Sequence, residues 1–118
     1  HFLLVNYWLK NAGVENNVLW FEDGQAVLDF LDGDNHPTKS NKKYIMILDV
    51  RMPKIDGMDV LRRIKNDEKL QDIPVIMLTT SDDQQQAKTC YDLGCSAHVI
   101  KPPGEVLLKA IERIGQKL

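Results

Sequence analysis

With 118 residues and a formal net charge of −2, the chain has the length of one domain able to bury a single core, and carries no charge bias toward nucleic acid or a membrane surface. Its apolar runs fall far short of the roughly 20 residues a membrane span needs, and no basic stretch leads into a long apolar one as in a secretory leader. Cys90 and Cys95 lack CxxC spacing and are too few for a disulfide framework, so they read as small core residues and the expected location is cytoplasmic.

Residues 1 to 12 place Leu4, Trp8 and Ala12 four apart with Leu9 beside Val5, a helical stripe for which Gly13 is a stop. Phe2 to Val5 read alone is equally a short strand. Val18-Leu19-Trp20-Phe21 is a brief buried strand, and Ala26, Val27, Phe30 and Leu31 recur at helical spacing after it. Residues 33 to 43 have no apolar period and form a solvated loop, with His36 as an exposed loop histidine.

Tyr44-Ile45-Met46-Ile47-Leu48 is a continuous apolar run with β-branched residues, the pattern of a strand buried on both faces, and it stops at Asp49. Met52-Pro53 and Asp56-Gly57 turn the chain into a helix marked by Val60, Leu61 and Ile64, with Arg62, Arg63 and Lys65 on its wet side. Pro74 to Leu78 is the next strand and ends in Thr79-Thr80-Ser81-Asp82. Ser81 or Asp82 is the expected cap of the helix running through Ala87, Cys90, Tyr91 and Leu93 to Gly94. Ala97 to Ile100 is the last strand, Lys101-Pro102-Pro103 follows, and Val106, Leu107, Ala110, Ile111 and Ile114 mark a final amphipathic helix. No repeat or linker interrupts the chain. Strand and helix alternating at this spacing imply a parallel sheet with helices on both faces.

Three strands thus end in Asp49, in Thr79 with Thr80, and in Lys101. The carboxyl ends of parallel strands share one edge, where open α/β sheets place their chemistry. A carboxylate there is a nucleophile toward a phosphoryl group, a hydroxyl hydrogen-bonds a phosphoryl oxygen, and an ammonium neutralises its charge. Taken singly, Asp49 as a turn residue, Thr79 as a cap and Lys101 as a solvated lysine are each the better reading. In register at successive strand ends, they favour a joint site.

At Ile47-Leu48-Asp49-Val50-Arg51-Met52-Pro53, Asp56-Gly57, Leu78-Thr79-Thr80-Ser81, Gly94-Cys95-Ser96-Ala97 and Lys101-Pro102, the chain resembles the CheY-like receiver domains of two-component response regulators. The long loop and the Leu-Thr-Thr-Ser run are similar to the single-domain regulators associated with phytochrome kinases. The resemblance implies a flavodoxin-like, doubly wound parallel sheet of five strands in the order 2-1-3-4-5, flanked by helices. It makes Asp49 the phosphoacceptor for a sensor histidine kinase, Thr79 the switch hydroxyl and Lys101 the partner of carboxylate and phosphoryl group. Thr80 and His98 become switch positions, with His98 where the family usually has Tyr or Phe. Lys101-Pro102 becomes a cis bond. Mg²⁺ is implied on Asp49, on the Arg51 backbone carbonyl and on an acidic pair after the first strand.

That pair is where the chain departs from the family. No acids precede Gly13 at the needed distance, and Asn6-Tyr7 would stand in their place if Phe2 to Val5 were the first strand. Residues 1–118 are therefore expected to form a receiver lacking the family's first strand, with exposed inner edges on the neighbouring strands and weak or absent Mg²⁺ binding. The leading expectation is a phosphorylation-controlled switch that signals through protein contacts or a homodimer. The alternatives are a phosphorylation-independent docking module and an aspartyl-nucleophile phosphatase. Arg51 disfavours the phosphatase, because it stands where such enzymes commonly carry a second Asp.

Overall fold

The computed structural model describes residues 17–21, 26, 27, 29, 30, 44–52, 55–68, 70–101 and 104–117. The stripe of residues 1 to 12 with its Gly13 stop, the loop of residues 33 to 43 with His36, and Pro102 lie outside the described residues.

The apolar runs form the expected strands: β1 (Asn17–Phe21), β2 (Tyr44–Asp49), β5 (Val75–Thr79) and β6 (Ala97–Ile100), all parallel, in the spatial order β1-β2-β5-β6. Between β2 and the next helix, β3 (Arg51–Met52) and β4 (Ile55–Asp56) form a small antiparallel ladder, with Arg51 opposite Asp56 and Met52 opposite Ile55. Turn residues alone were expected in that stretch. The helices are α1 (Gly57–Lys65), α2 (Gln84–Leu93) and α3 (Gly104–Lys117).

The four parallel strands of the described residues therefore follow one another across the sheet in chain order. The edges expected to lie open are instead paired with each other. Five rungs run from Asn17↔Tyr44 to Phe21↔Leu48, because unpaired backbone groups in a buried sheet are costly and the two strands are free to meet.

Alternation along the strands divides the core into two layers. Met46, Leu48, Val75 and Met77 face one side and pack with Val60, Leu61 and Ile64 of α1 and Cys90 of α2. Ile45, Ile47, Ile76 and Leu78 face the other and pack with Leu107, Ala110 and Ile111 of α3. Each fully buried Leu or Ile contributes on the order of 1.5–3 kcal/mol relative to exposure. The sheet is thus covered on both faces, as in doubly wound folds. Val106 departs from its expected place: it lies in the first turn of α3 and is exposed.

Helix ends are fixed by short polar contacts. The Asp56 carboxylate accepts from the Met58 N–H (2.8 Å) at the start of α1. The cap of α2 is Asp83, whose carboxylate accepts from the Gln85 N–H (2.9 Å), one residue past the expected Ser81 or Asp82. Ser81 supports that cap by accepting from the Asp83 N–H (3.1 Å).

Candidate functional site

β2 delivers Asp49 to the carboxyl edge of the sheet, where its side chain is buried although charged. Asp49 lies opposite Leu78, and the Val50 N–H donates to the Leu78 carbonyl (2.8 Å), so the two strand ends are locked in register. Thr79, one residue further along β5, is also buried. Its hydroxyl oxygen accepts from the Ser81 N–H (3.0 Å), and the hydroxyl proton remains a donor.

Lys101 follows β6 directly. Its backbone N–H donates to the Thr79 carbonyl (2.7 Å), and its ammonium forms an ion pair with Asp49 Oδ1. The carboxylate is 6 % exposed and the lysine side chain 36 %. One end of the pair is therefore screened by water and the other is not, a geometry in which removing the cation leaves a buried charge uncompensated. Asp49, Thr79 and Lys101 are the expected residues that the fold brings together.

The other expected residues lie around this centre. Arg51 is exposed at the start of β3, and Thr80 is exposed just beyond Thr79. His98 is half-buried on the α2 side of β6, with a ring nitrogen 3.3 Å from the Gln86 side-chain oxygen. Its backbone N–H donates to the Tyr91 hydroxyl (3.2 Å). Burial lowers the His98 imidazole below its ordinary value.

Sequence reasoning read Gly57 only as a turn and motif residue and missed its approach to the Asp49 backbone. A Cβ built there falls 2.2 Å from the Asp49 carbonyl oxygen, 2.8 Å from Val50 Cα and 3.0 Å from the Val50 oxygen. The Gly57 N–H donates to that Val50 carbonyl (2.8 Å). The start of α1 therefore rests directly on the backbone that aims Asp49, and only a residue without a side chain allows the approach. The available signal was the glycine just inside a helix N-cap, which reads as a turn until the neighbouring backbone is known.

Mg²⁺ takes oxygen ligands in near-octahedral geometry, usually with one or two carboxylates and several waters. Among the described residues no group of three His, Cys, Asp or Glu converges to hold a metal, and Lys101 already engages one oxygen of Asp49. The described residues leave a Mg²⁺ shell incomplete.

A buried carboxylate paired with an ammonium thus lies at the carboxyl edge of the sheet, with a buried threonine at the adjoining strand end. The chain belongs to the response regulator receiver domain family, whose model matches residues 2–112. It is 34% identical to the probable methanogenesis regulatory protein FilR2 of Methanothrix harundinacea, over 98% of this chain and 75% of that protein. Among solved structures it is similar to the Mn(2+)-bound form of response regulator Rcp1 (30% identity, TM-score 0.69, covering 94% and 81% of the two chains). It is likewise similar to the bacteriophytochrome response regulator AtBRR (34% identity, TM-score 0.67, covering 97% and 84%). The chain is thus a CheY-like receiver, a phosphorylation-controlled switch of two-component signalling, and members of this family generally bind Mg²⁺ and engage histidine kinases.

Proposed function

We propose that Asp49 is the phosphoacceptor of this switch. The observation that carries the reading is the Lys101–Asp49 ion pair, with Thr79 on the adjoining strand end. A carboxylate oxygen attacks phosphorus, the P–N bond of a phosphohistidine breaks, its electron pair stays on the imidazole, and an acylphosphate remains on Asp49. Lys101 then balances the added charge, and Thr79 turns its hydroxyl proton toward a phosphoryl oxygen. The same oxygen goes on accepting from the Ser81 N–H, so a shift of the Thr79 hydroxyl toward the phosphoryl group is passed to the segment leading into α2. Thr80, just beyond the end of β5, and His98, within β6 on its α2 side, would relay the change to the surface.

The phosphoryl donor is a sensor histidine kinase, and a phytochrome is the proposed class because a bacteriophytochrome response regulator is among the similar structures. Asp49 and the Arg51 carbonyl would supply part of a Mg²⁺ shell, and the ion, when bound, supplies charge neutralisation. No helix among the described residues is long and apolar enough to cross a membrane, which suits a cytoplasmic receiver signalling through protein contacts or a homodimer. The expected test is that Asp49→Asn in the full-length protein abolishes labelling by acetyl phosphate. Persistent labelling of that variant overturns the assignment, and an unlabelled parent favours a phosphorylation-independent docking module. Turnover of excess small phosphoester would favour the phosphatase.

A further inference from the structure

Two separated parts of the chain, the start of α1 and the end of α2, bring Met58, Cys90 and Cys95 into one layer of the core. Cys90 lies in the last turn of α2 and Cys95 just past its end. Gly94 between them has φ 105°. Its N–H donates to the Tyr91 carbonyl (3.0 Å), and the Cys95 N–H donates to the Cys90 carbonyl (3.0 Å). This is the bond pattern of a Schellman stop, which lays the side chain beyond the glycine against one in the last turn. Here both of those side chains are thiols, so the motif sets Cys95 against Cys90. Cys90 Sγ also donates to Met58 Sδ at 3.3 Å. The cysteines are buried and Met58, in the first turn of α1, is half-buried.

The charges around the cluster are unequal. The Lys65 ammonium acts on Cys95 while donating to the Gln71 (2.9 Å) and Ile73 (3.0 Å) carbonyls, and Asp56 acts on Cys90. Burial pushes the Cys90 thiol up and the Cys95 thiol up to about 12. Thiolate is therefore scarce at neutral pH, which argues against a reactive or readily oxidised cysteine. A metal that displaces the thiol protons as it binds is a different case. Two thiols and a thioether, shielded from water, are donors that select soft ions. A monovalent ion leaves one net negative charge on the cluster, opposite the Lys65 ammonium, whereas a site of this kind offers no oxygen or imidazole to a harder ion.

We propose that Met58, Cys90 and Cys95 form a site for one soft monovalent metal ion of the copper(I) class. Binding replaces the two S–H bonds with two metal–thiolate bonds and releases two protons, with no change in oxidation state. The test is an anaerobic titration of the full chain with Cu(I) against the chromophoric chelator bicinchoninate. One ion per chain is expected to leave the chelator, with release of two protons. Cys90→Ser is expected to weaken binding beyond the roughly 10–100-fold that loss of an outer-shell partner costs, and Met58→Leu by about tenfold. Withdrawal of copper that is unchanged in either variant overturns the proposal, as does a parent that withdraws none. Copper K-edge absorption of the loaded parent guards against a misfolded variant: sulfur scatterers alone support the site, and nitrogen or oxygen ligands overturn it.

Discussion

Replacing Gly57 with alanine is expected to damage stability and phosphoryl acceptance together. All three atoms that the new methyl would meet belong to the backbone of Asp49 and Val50, the nearest at 2.2 Å. No side chain can rotate aside. Real Cβ contacts essentially never fall under 3.0 Å, so either the Asp49 carbonyl retreats by nearly an ångström or the first turn of α1 lifts away. The second route breaks the Gly57 N–H to Val50 carbonyl bond of 2.8 Å, a loss of about 1 kcal/mol. Overpacking of this kind costs about 1–3 kcal/mol, and the better helix propensity of alanine returns less than about 1 kcal/mol in a first turn. The net loss is about 1–4 kcal/mol, or roughly 4–16 °C in Tm for a domain of this length. Thermal unfolding followed by circular dichroism measures the first effect. The acetyl phosphate labelling rate, taken well below both melting temperatures, measures the displacement of Asp49 separately from unfolding. A Gly57→Ala protein that melts with the parent and labels at the parent's rate refutes the reasoning.

Two further outcomes follow from the site. Lys101→Met leaves the Asp49 carboxylate buried without its cation; breaking a fully buried pair costs about 3–5 kcal/mol, and the half-exposed lysine reduces this to about 1–3 kcal/mol. Urea unfolding should show most of that loss restored in the Asp49→Asn, Lys101→Met double variant, and an equal loss in both variants contradicts the pairing. His98 has a folded-state value below its unfolded one, so the unfolded chain binds the proton more readily. Its contribution to stability is therefore complete above the unfolded value near 6.5 and is lost as pH falls from there through the folded value. Urea midpoints between pH 7.5 and 5 should fall less steeply in His98→Gln than in the parent, and parallel profiles dismiss the effect.

The strands and the central triad were legible because each is written in a local pattern. A run such as Ile45-Met46-Ile47-Leu48 has one physical solution in a two-layered sheet, and parallel pairing forces its terminal Asp49 to the same edge as Thr79 and Lys101. The cap of α2 shifted from Ser81 or Asp82 to Asp83 because three adjacent polar residues can each cap, and only the observed turn selects one. The direct β1–β2 pairing and the clearance at Gly57 were not legible. Both depend on how two backbones approach, which side-chain identity does not encode. Val106 and Tyr91 fit an apolar helical stripe by spacing, yet both are exposed. Tyr91 has a use for its position, since its hydroxyl accepts from the His98 N–H.

The Lys101 N–H bond to the Thr79 carbonyl lies one step beyond the last β5–β6 rung, Thr79↔Ile100. Ladder ends fray at a free energy well below that of global unfolding. Opening this terminal bond would release the backbone of the lysine that neutralises Asp49 while β2 stays paired to β5. The charged centre can then come apart in a molecule that is otherwise folded. Amide exchange at Lys101 would report that opening, and a phosphoryl group bridging Asp49 and Lys101 would slow it.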